Sequence, residues 1–292
     1  MDLDTASSRK PNVVFVFPDQ LRRCATGFGG DLNIATPSMD RLAGESLDFQ
    51  NAISGMPVCC PARATLMTGL YAHHHGVLVN DVHLDDGLPK LAEQFVDAGY
   101  DTAYIGKWHL NGRGRKAYIT PENRCGFQYW KALECTHDYN ESAYYAGDDD
   151  TQLTWDGYDA FAQTDDAINY LNSRSKKDRP FMMMLSWGPP HDPYETAPQE
   201  FRDKVETAAL KLRPNVPPEQ EEVAREELAG YYAHILALDH ALDRAEAQQV
   251  AQVEQTAQAL DAGRLEGGHG LPQLVEHEAR EELRLRPELL SL

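Results

Sequence analysis

In NVVFVF, residues 12–17, five apolar residues follow one another without a polar break. Such a run predicts a strand covered on both faces of a parallel sheet. It ends in Pro18-Asp19-Gln20, and open α/β sheets place ligands at the carboxyl ends of their strands. PFMMMLSW (180–187) repeats the pattern and runs into Gly188-Pro189-Pro190-His191-Asp192, with Met182 to Met184 reading as core. Shorter runs predict strands at Leu47 to Ile53 and Thr102 to Ile105. Helical spacing lies between them. Thr36-Pro37 reads as an N-cap followed by proline at N1, with Met39, Leu42 and Ala43 turned inward. Pro61 opens a second helix carrying Ala64, Leu66 and Met67. Leu88 to Ala98 predicts a third, closed by Gly99 at C′. Leu228, Tyr231, Tyr232, Ile235, Leu238 and Leu242 mark a long fourth. Strands alternating with helices predict an α/β fold: a doubly wound, mostly parallel (mixed) sheet flanked by helices.

The pattern changes after about Ala245. Residues 246–292 contain no Phe, Tyr, Trp, Ile, Met, Cys, Lys or Asn, and no run there could supply a buried strand. The expected organisation is a folded region over residues 1–245 and a Glu/Ala/Leu/Gln/Arg-rich tail over 246–292, helical or disordered. Gly267-Gly268 and Pro272 would interrupt a helix.

Composition sharpens this reading in two respects. The formal net charge of −19 argues against a nucleic-acid or anionic-membrane partner. Glu134 to Asp166 carries ten acids and no Lys or Arg, which reads as a solvated face, with a cation-accepting rim as the alternative. No segment reaches transmembrane length, and MDLDTASSRKPN holds no apolar h-region. Cytoplasmic location is therefore the expectation, with export open if the gene model is incomplete.

The candidate chemistry sits at the predicted strand ends: Asp19-Gln20, Cys59 to Arg63, Lys107-Trp108-His109 and His191-Asp192. A parallel sheet would bring these to one rim. They offer a hard oxygen ligand, a nucleophile at a helix N-terminus, and several cationic or proton-donating groups. A helix N-terminus favours a tetrahedral anion through its free N–H groups and dipole. Arg63, Lys107 and the two histidines match the oxygens of a sulfuryl or phosphoryl group in transfer. The five cysteines (24, 59, 60, 125 and 135) form neither a disulfide framework nor a zinc spacing. A cysteine-phosphatase loop is a poor match, because it needs more residues between Cys and Arg than the three here. Consecutive side chains diverge, so His73, His74 and His75 predict packing or exposure rather than a metal site.

These residues resemble the type I sulfatases. Cys59-Cys60-Pro61-Ala62-Arg63 matches their C-x-P-x-R motif, continued by TLMTG (65–69). PNVVFVFPDQ, TPSMDRLAGESLDFQNAIS, GKWHL (106–110) and GPPHDPY (188–194) resemble further family segments in order, so the resemblance covers roughly residues 10 to 245. It implies an alkaline-phosphatase-like fold and a sulfuric-ester hydrolase acting on a sulfated small molecule or glycan. It also implies that a maturation enzyme oxidises Cys59 to formylglycine, with Cys60 as a bystander. Arg63 would stabilise the modified residue. Lys107 and His109 would hold its oxygens and those of sulfate, and His191 would bind sulfate or protonate the leaving oxygen. Asp19, Gln20 and residue 59 would ligate a divalent cation, Ca²⁺ ahead of Mg²⁺ or Mn²⁺.

The chain departs from the family pattern in two places. Gln20 stands where many sulfatases have a second Asp, and Asp-Gln also occurs in relatives that cleave phosphonate monoesters and phosphodiesters. The later strand ending in Asp-His or Asp-Asn, which supplies further metal ligands, has no counterpart beyond a faint likeness at His269-Gly270. Truncation or a frameshift after about residue 245 is the expectation. A non-catalytic sulfatase fold and a phosphodiester or phosphonate monoester hydrolase are the alternatives.

Overall fold

The computed structural model describes residues 10–174 and 179–266. Its six-stranded sheet consists of β1 (Val13–Pro18), β2 (Asp101–Lys107), β3 (Tyr129–Leu133), β4 (Ala143–Ala146), β5 (Leu153–Thr154) and β6 (Phe181–Trp187), in the order β1-β6-β2-β3-β4-β5. The pairs β1–β6, β6–β2 and β2–β3 are parallel, whereas β3–β4 and β4–β5 are antiparallel. The sheet is mixed and mainly parallel.

Period-two alternation in β6 feeds a separate core on each face. Met182 and Met184 pack with Ala64, Met67 and Ala92, from the helices α2 (Cys59–Thr68) and α4 (Leu91–Asp97). Met183 and Leu185 pack on the other face with Ala167, Tyr170 and Leu238, from α5 (Asp159–Arg174) and α7 (Glu221–Glu266). Three shorter helices are α1 (Pro37–Gly44), α3 (Ala72–His75) and α6 (Gln199–Arg202). Burying a side chain of Met or Leu size contributes about 1.5–3 kcal/mol. Every residue of β6 is buried, so this strand anchors both layers. Helix α7 runs without a break through the composition change at residue 245 as far as Glu266. Residues 267–292, His269-Gly270 among them, lie outside the described residues.

Three expectations need correction. The apolar run of β1 is only half-buried throughout, because β1 pairs with β6 alone among the described residues and forms the sheet edge. Leu47 to Ile53 is not a strand. No strand among the described residues offers it hydrogen bonds, it folds into local turns (Ala52 N–H to Phe49 O, 3.2 Å), and Leu47, Phe49 and Ile53 are exposed. The acidic stretch is not simply a solvated face: Glu134, Asp159 and Asp166 are buried. Glu134 accepts backbone N–H groups from Leu110, Asn111 and Gly112 at 3.2, 2.7 and 2.8 Å. That clamp fixes the loop that follows β2.

Candidate active site

The carboxyl ends of β1, β6 and β2 lie side by side, and the site is built across them. The backbone N–H of Asp19 bonds Trp187 O at 3.0 Å, carrying the β1–β6 pairing one residue past the strand. Gly106, at φ +106°, lets β2 approach β6: a Cβ there would meet Ser186 O at 2.1 Å. The next residue, Lys107, ends the strand. Opposite these ends, α2 begins at Cys59, two residues earlier than its proline suggests. Cys59 therefore stands at the helix N-terminus, where free N–H groups favour anions.

Asp19 is the centre of the floor. Its Oδ2 is 2.6 Å from Lys107 Nζ and 3.1 Å from Arg63 Nη2, with all three side chains buried. Burial opposes ionisation of the Asp19 carboxyl, but Arg63 and Lys107 hold its pKa well below the usual carboxylate range. Arg63 is tied into the floor from within. Its Nη1 donates to Lys107 O (2.5 Å), Ser186 Oγ (2.8 Å) and Tyr104 Oη (3.3 Å), and the guanidinium lies over the Phe17 ring. Cys59 Sγ lies 3.4 Å from Asp19 Oδ1 and 3.7 Å from Lys107 Nζ. His191 completes the cluster, its ligand atom within 4.8 Å of those of Asp19 and Cys59. The structure thus brings together Asp19, Cys59, Arg63, Lys107 and His191.

His109 and Gln20 are placed differently. His109 is buried at φ +59° and its Nε2 lies 3.1 Å from Asp81 Oδ1, while Nδ1 has no partner among the described residues. Asp81 also takes a two-pronged ion pair from Arg115, at 3.1 and 3.0 Å. Hydrogen bonds from Arg115 and His109 lower the Asp81 pKa to about 2. Gln20 is exposed at φ +65°, and among the described residues only its backbone carbonyl is engaged, by the Tyr231 hydroxyl at 2.9 Å.

Several contributors carried no signal in the sequence. Asn80 Oδ1 accepts the Cys60 N–H at the start of α2 (2.9 Å), and the Asp81 N–H reaches Cys60 Sγ at 3.2 Å. Cys60 is fully buried, and burial pushes its thiol up to about 11, so this residue packs rather than reacts. Asn80, Asp81, Tyr104 and Ser186 sit in ordinary surroundings in the sequence, and only the fold collects them. Among the three consecutive histidines, His75 is buried between Thr65 Oγ1 and the Val77 N–H at 3.1 Å each, and the other two are exposed.

The donor set can be tested against a hard cation. Asp19 is the one carboxylate in its cluster among the described residues, and its Oδ2 is already committed to two cations. Ca²⁺ takes roughly six to eight oxygens. The described residues fall short of that shell. Residue 59, by contrast, fits a small oxygen-bearing side chain, with an ammonium and a carboxylate facing it.

A family model described as Sulfatase matches residues 11–251. An ulvan-active sulfatase of Formosa agariphila is 47% identical over 233 residues, 80% of this chain and 46% of that protein. An N-acetylglucosamine-6-O-sulfatase of Bacteroides thetaiotaomicron is 34% identical over 201 residues, 66% of this chain and 33% of that protein. Among solved structures, a putative sulfatase of Bacteroides fragilis superposes with a TM-score of 0.78 at 30% identity, covering 84% of this chain and 59% of that one. The chain spans about half the length of the first of these relatives, or less for the second.

Proposed function

The chain belongs to the sulfatase family, and we propose that it hydrolyses a sulfate ester of a glycan, using formylglycine made from Cys59 by a maturation enzyme. The observation that carries this reading is the placement of residue 59. It opens α2 with Asp19 Oδ1 at 3.4 Å and Lys107 Nζ at 3.7 Å. Formylglycine as its hydrate supplies an oxygen nucleophile and a second hydroxyl through which sulfate is expelled; a thiol supplies neither. Relatives named for ulvan and for N-acetylglucosamine 6-O-sulfate support a carbohydrate substrate.

The chain's own residues divide the remaining work. Lys107 and the α2 N-terminus attract the sulfuryl oxygens and stabilise charge that develops on them. Arg63, buried and bonded to Asp19 Oδ2 and Lys107 O, acts by holding Asp19 and the end of β2 in place. His191 Nδ1 lies 3.1 Å from Asp192 Oδ1 and 2.9 Å from Asp192 O. That pairing assigns the proton to Nδ1 and turns Nε2 toward the leaving oxygen, where a protonated ring donates. Ca²⁺ is the cation this oxygen chemistry favours, and Asp19 Oδ1 is the atom that would face it.

Co-expression with a formylglycine-generating enzyme, followed by mass spectrometry of the peptide containing residue 59, tests the reading. Thiol-to-aldehyde conversion is expected at Cys59 and not at Cys60, with turnover of an aryl sulfate abolished by Cys59→Ala. Conversion at residue 60, or none at residue 59, would overturn it.

A further inference from the structure

A second group of metal-type ligands lies at the mouth of the site. One ring nitrogen each from His137 and His191 and one carboxylate oxygen of Asp192 all lie within 4.8 Å of one another. The two imidazole rings are 4.7 Å apart and inclined by 31°. Asp192 Oδ1 sits 3.1 Å from His191 Nδ1, and a dication held by both atoms would displace the proton that Nδ1 carries. His137 comes from the segment after β3, whereas His191 and Asp192 follow β6. Strand β2 lies between those strands, so the contact bridges the end of the strand that carries Lys107. The reaction proposed above has no use for His137.

We propose that His137, His191 and Asp192 form a binding site for a first-row transition dication of the Zn²⁺ type, sharing His191 with the Asp19 cluster but not using Asp19, the hard-cation ligand. Imidazole nitrogens suit Zn²⁺, Co²⁺, Ni²⁺ and Cu²⁺, whereas Ca²⁺ and Mg²⁺ prefer all-oxygen shells. Two imidazoles and one carboxylate, with a position left for water, make the three-ligand arrangement of an open tetrahedral zinc site. The ligand atoms must draw in toward the roughly 2.0–2.2 Å that Zn²⁺ sets for nitrogen and oxygen. His137 and Asp192 are exposed on loops and can make that movement. Local charge permits it as well. Lys107 is engaged by Asp19 at 2.6 Å and Arg115 by Asp81 at 3.0 Å, while Asp192 brings a negative charge of its own. Buried Cys135, with its Sγ 3.8 Å from His137 Nε2, steadies that ring.

Occupation of this site engages His191. If that ring serves the reaction proposed above, bound zinc would inhibit sulfate-ester hydrolysis, and a chelator would relieve the inhibition. That consequence rests on the proposed function; the binding itself does not.

Titration of the full chain with Co²⁺ separates the two, because binding is read from the visible absorption of four-coordinate cobalt without any turnover. The Cys59→Ser chain serves as the starting protein, which removes the one competing thiol at the floor. We expect one equivalent of intense visible absorption, displaced by Zn²⁺ and unaffected by excess Ca²⁺. Adding His137→Ala should weaken binding by about tenfold or more. His74→Ala, at another exposed histidine, should leave the titration unchanged, and far-UV circular dichroism verifies that each variant is folded. Retention of the band in His137→Ala, its absence from Cys59→Ser, or displacement by Ca²⁺ would each overturn the proposal.

Discussion

The floor of the site and its rim use the same residue types to opposite ends. On the floor, Asp19, Arg63 and Lys107 are buried and each charge is met by another at 3.1 Å or less. On the rim, Asp81 and Arg115 pair at 3.0 Å with about half of each side chain exposed, and Asp192 beside His191 is 55% exposed. Removing one partner from a buried group strands the other without water, whereas an exposed pair gives up little when it is broken. The floor therefore holds the strand ends together, and the rim is free to rearrange around a ligand.

The largest effect should come from Arg63→Met. It leaves Asp19 with one cation and removes the donor from Lys107 O, Ser186 Oγ and Tyr104 Oη. Urea denaturation at neutral pH should show a loss of about 3–5 kcal/mol. A loss similar to that of a surface substitution would erase the contrast between floor and rim.

Asp19→Asn comes next, with a loss of about 2–4 kcal/mol at neutral pH as two buried cations lose their shared carboxylate. Its pH dependence sharpens the comparison. The folded-state pKa of Asp19 is depressed, so its contribution is complete above the unfolded value of about 3.9 and is lost as pH falls below it. The stability gap between wild type and Asp19→Asn should hold from neutral pH down to about 5 and narrow below about 4. A gap that widens on acidification would contradict the assigned pairing.

On the rim, Asp81→Asn should cost at most about 1 kcal/mol, fading at about 1 M salt as screening removes the Arg115 contact. A loss as large as that of Asp19→Asn would make this rim pair part of the floor. The smallest effect belongs to Gln20→Ala, within about 0.5 kcal/mol in stability and without effect on a Ca²⁺ titration. A weaker calcium response would show that its side chain turns into the site.

The strands show how far the sequence carries. NVVFVF and FMMMLSW have the same apolar signature, and both form parallel strands of one sheet. Side-chain pattern reports which faces are covered, but not which edges are paired. β6 lies between two strands and is buried at every position, while β1 at the edge is half-buried at every position. The same limit explains residues 47–53. Their apolar content suits a strand, but a strand exists only where a neighbour supplies hydrogen bonds, and the described residues supply none there.

By itself, the sequence determined the α/β class, the strand ends on which polar groups cluster, and the C-x-P-x-R segment, because periodicity and short motifs are local properties of the chain. The tertiary structure alone decided that Asp19 is shared by Arg63 and Lys107, that Asp81 holds His109, that Glu134 clamps the loop after β2, and that His137 meets His191. Each of those contacts joins residues from separate elements, and only the order and register of the strands bring them within a few ångströms. Local pattern fixes what each segment can form; burial and charge pairing between segments fix what its side chains can do.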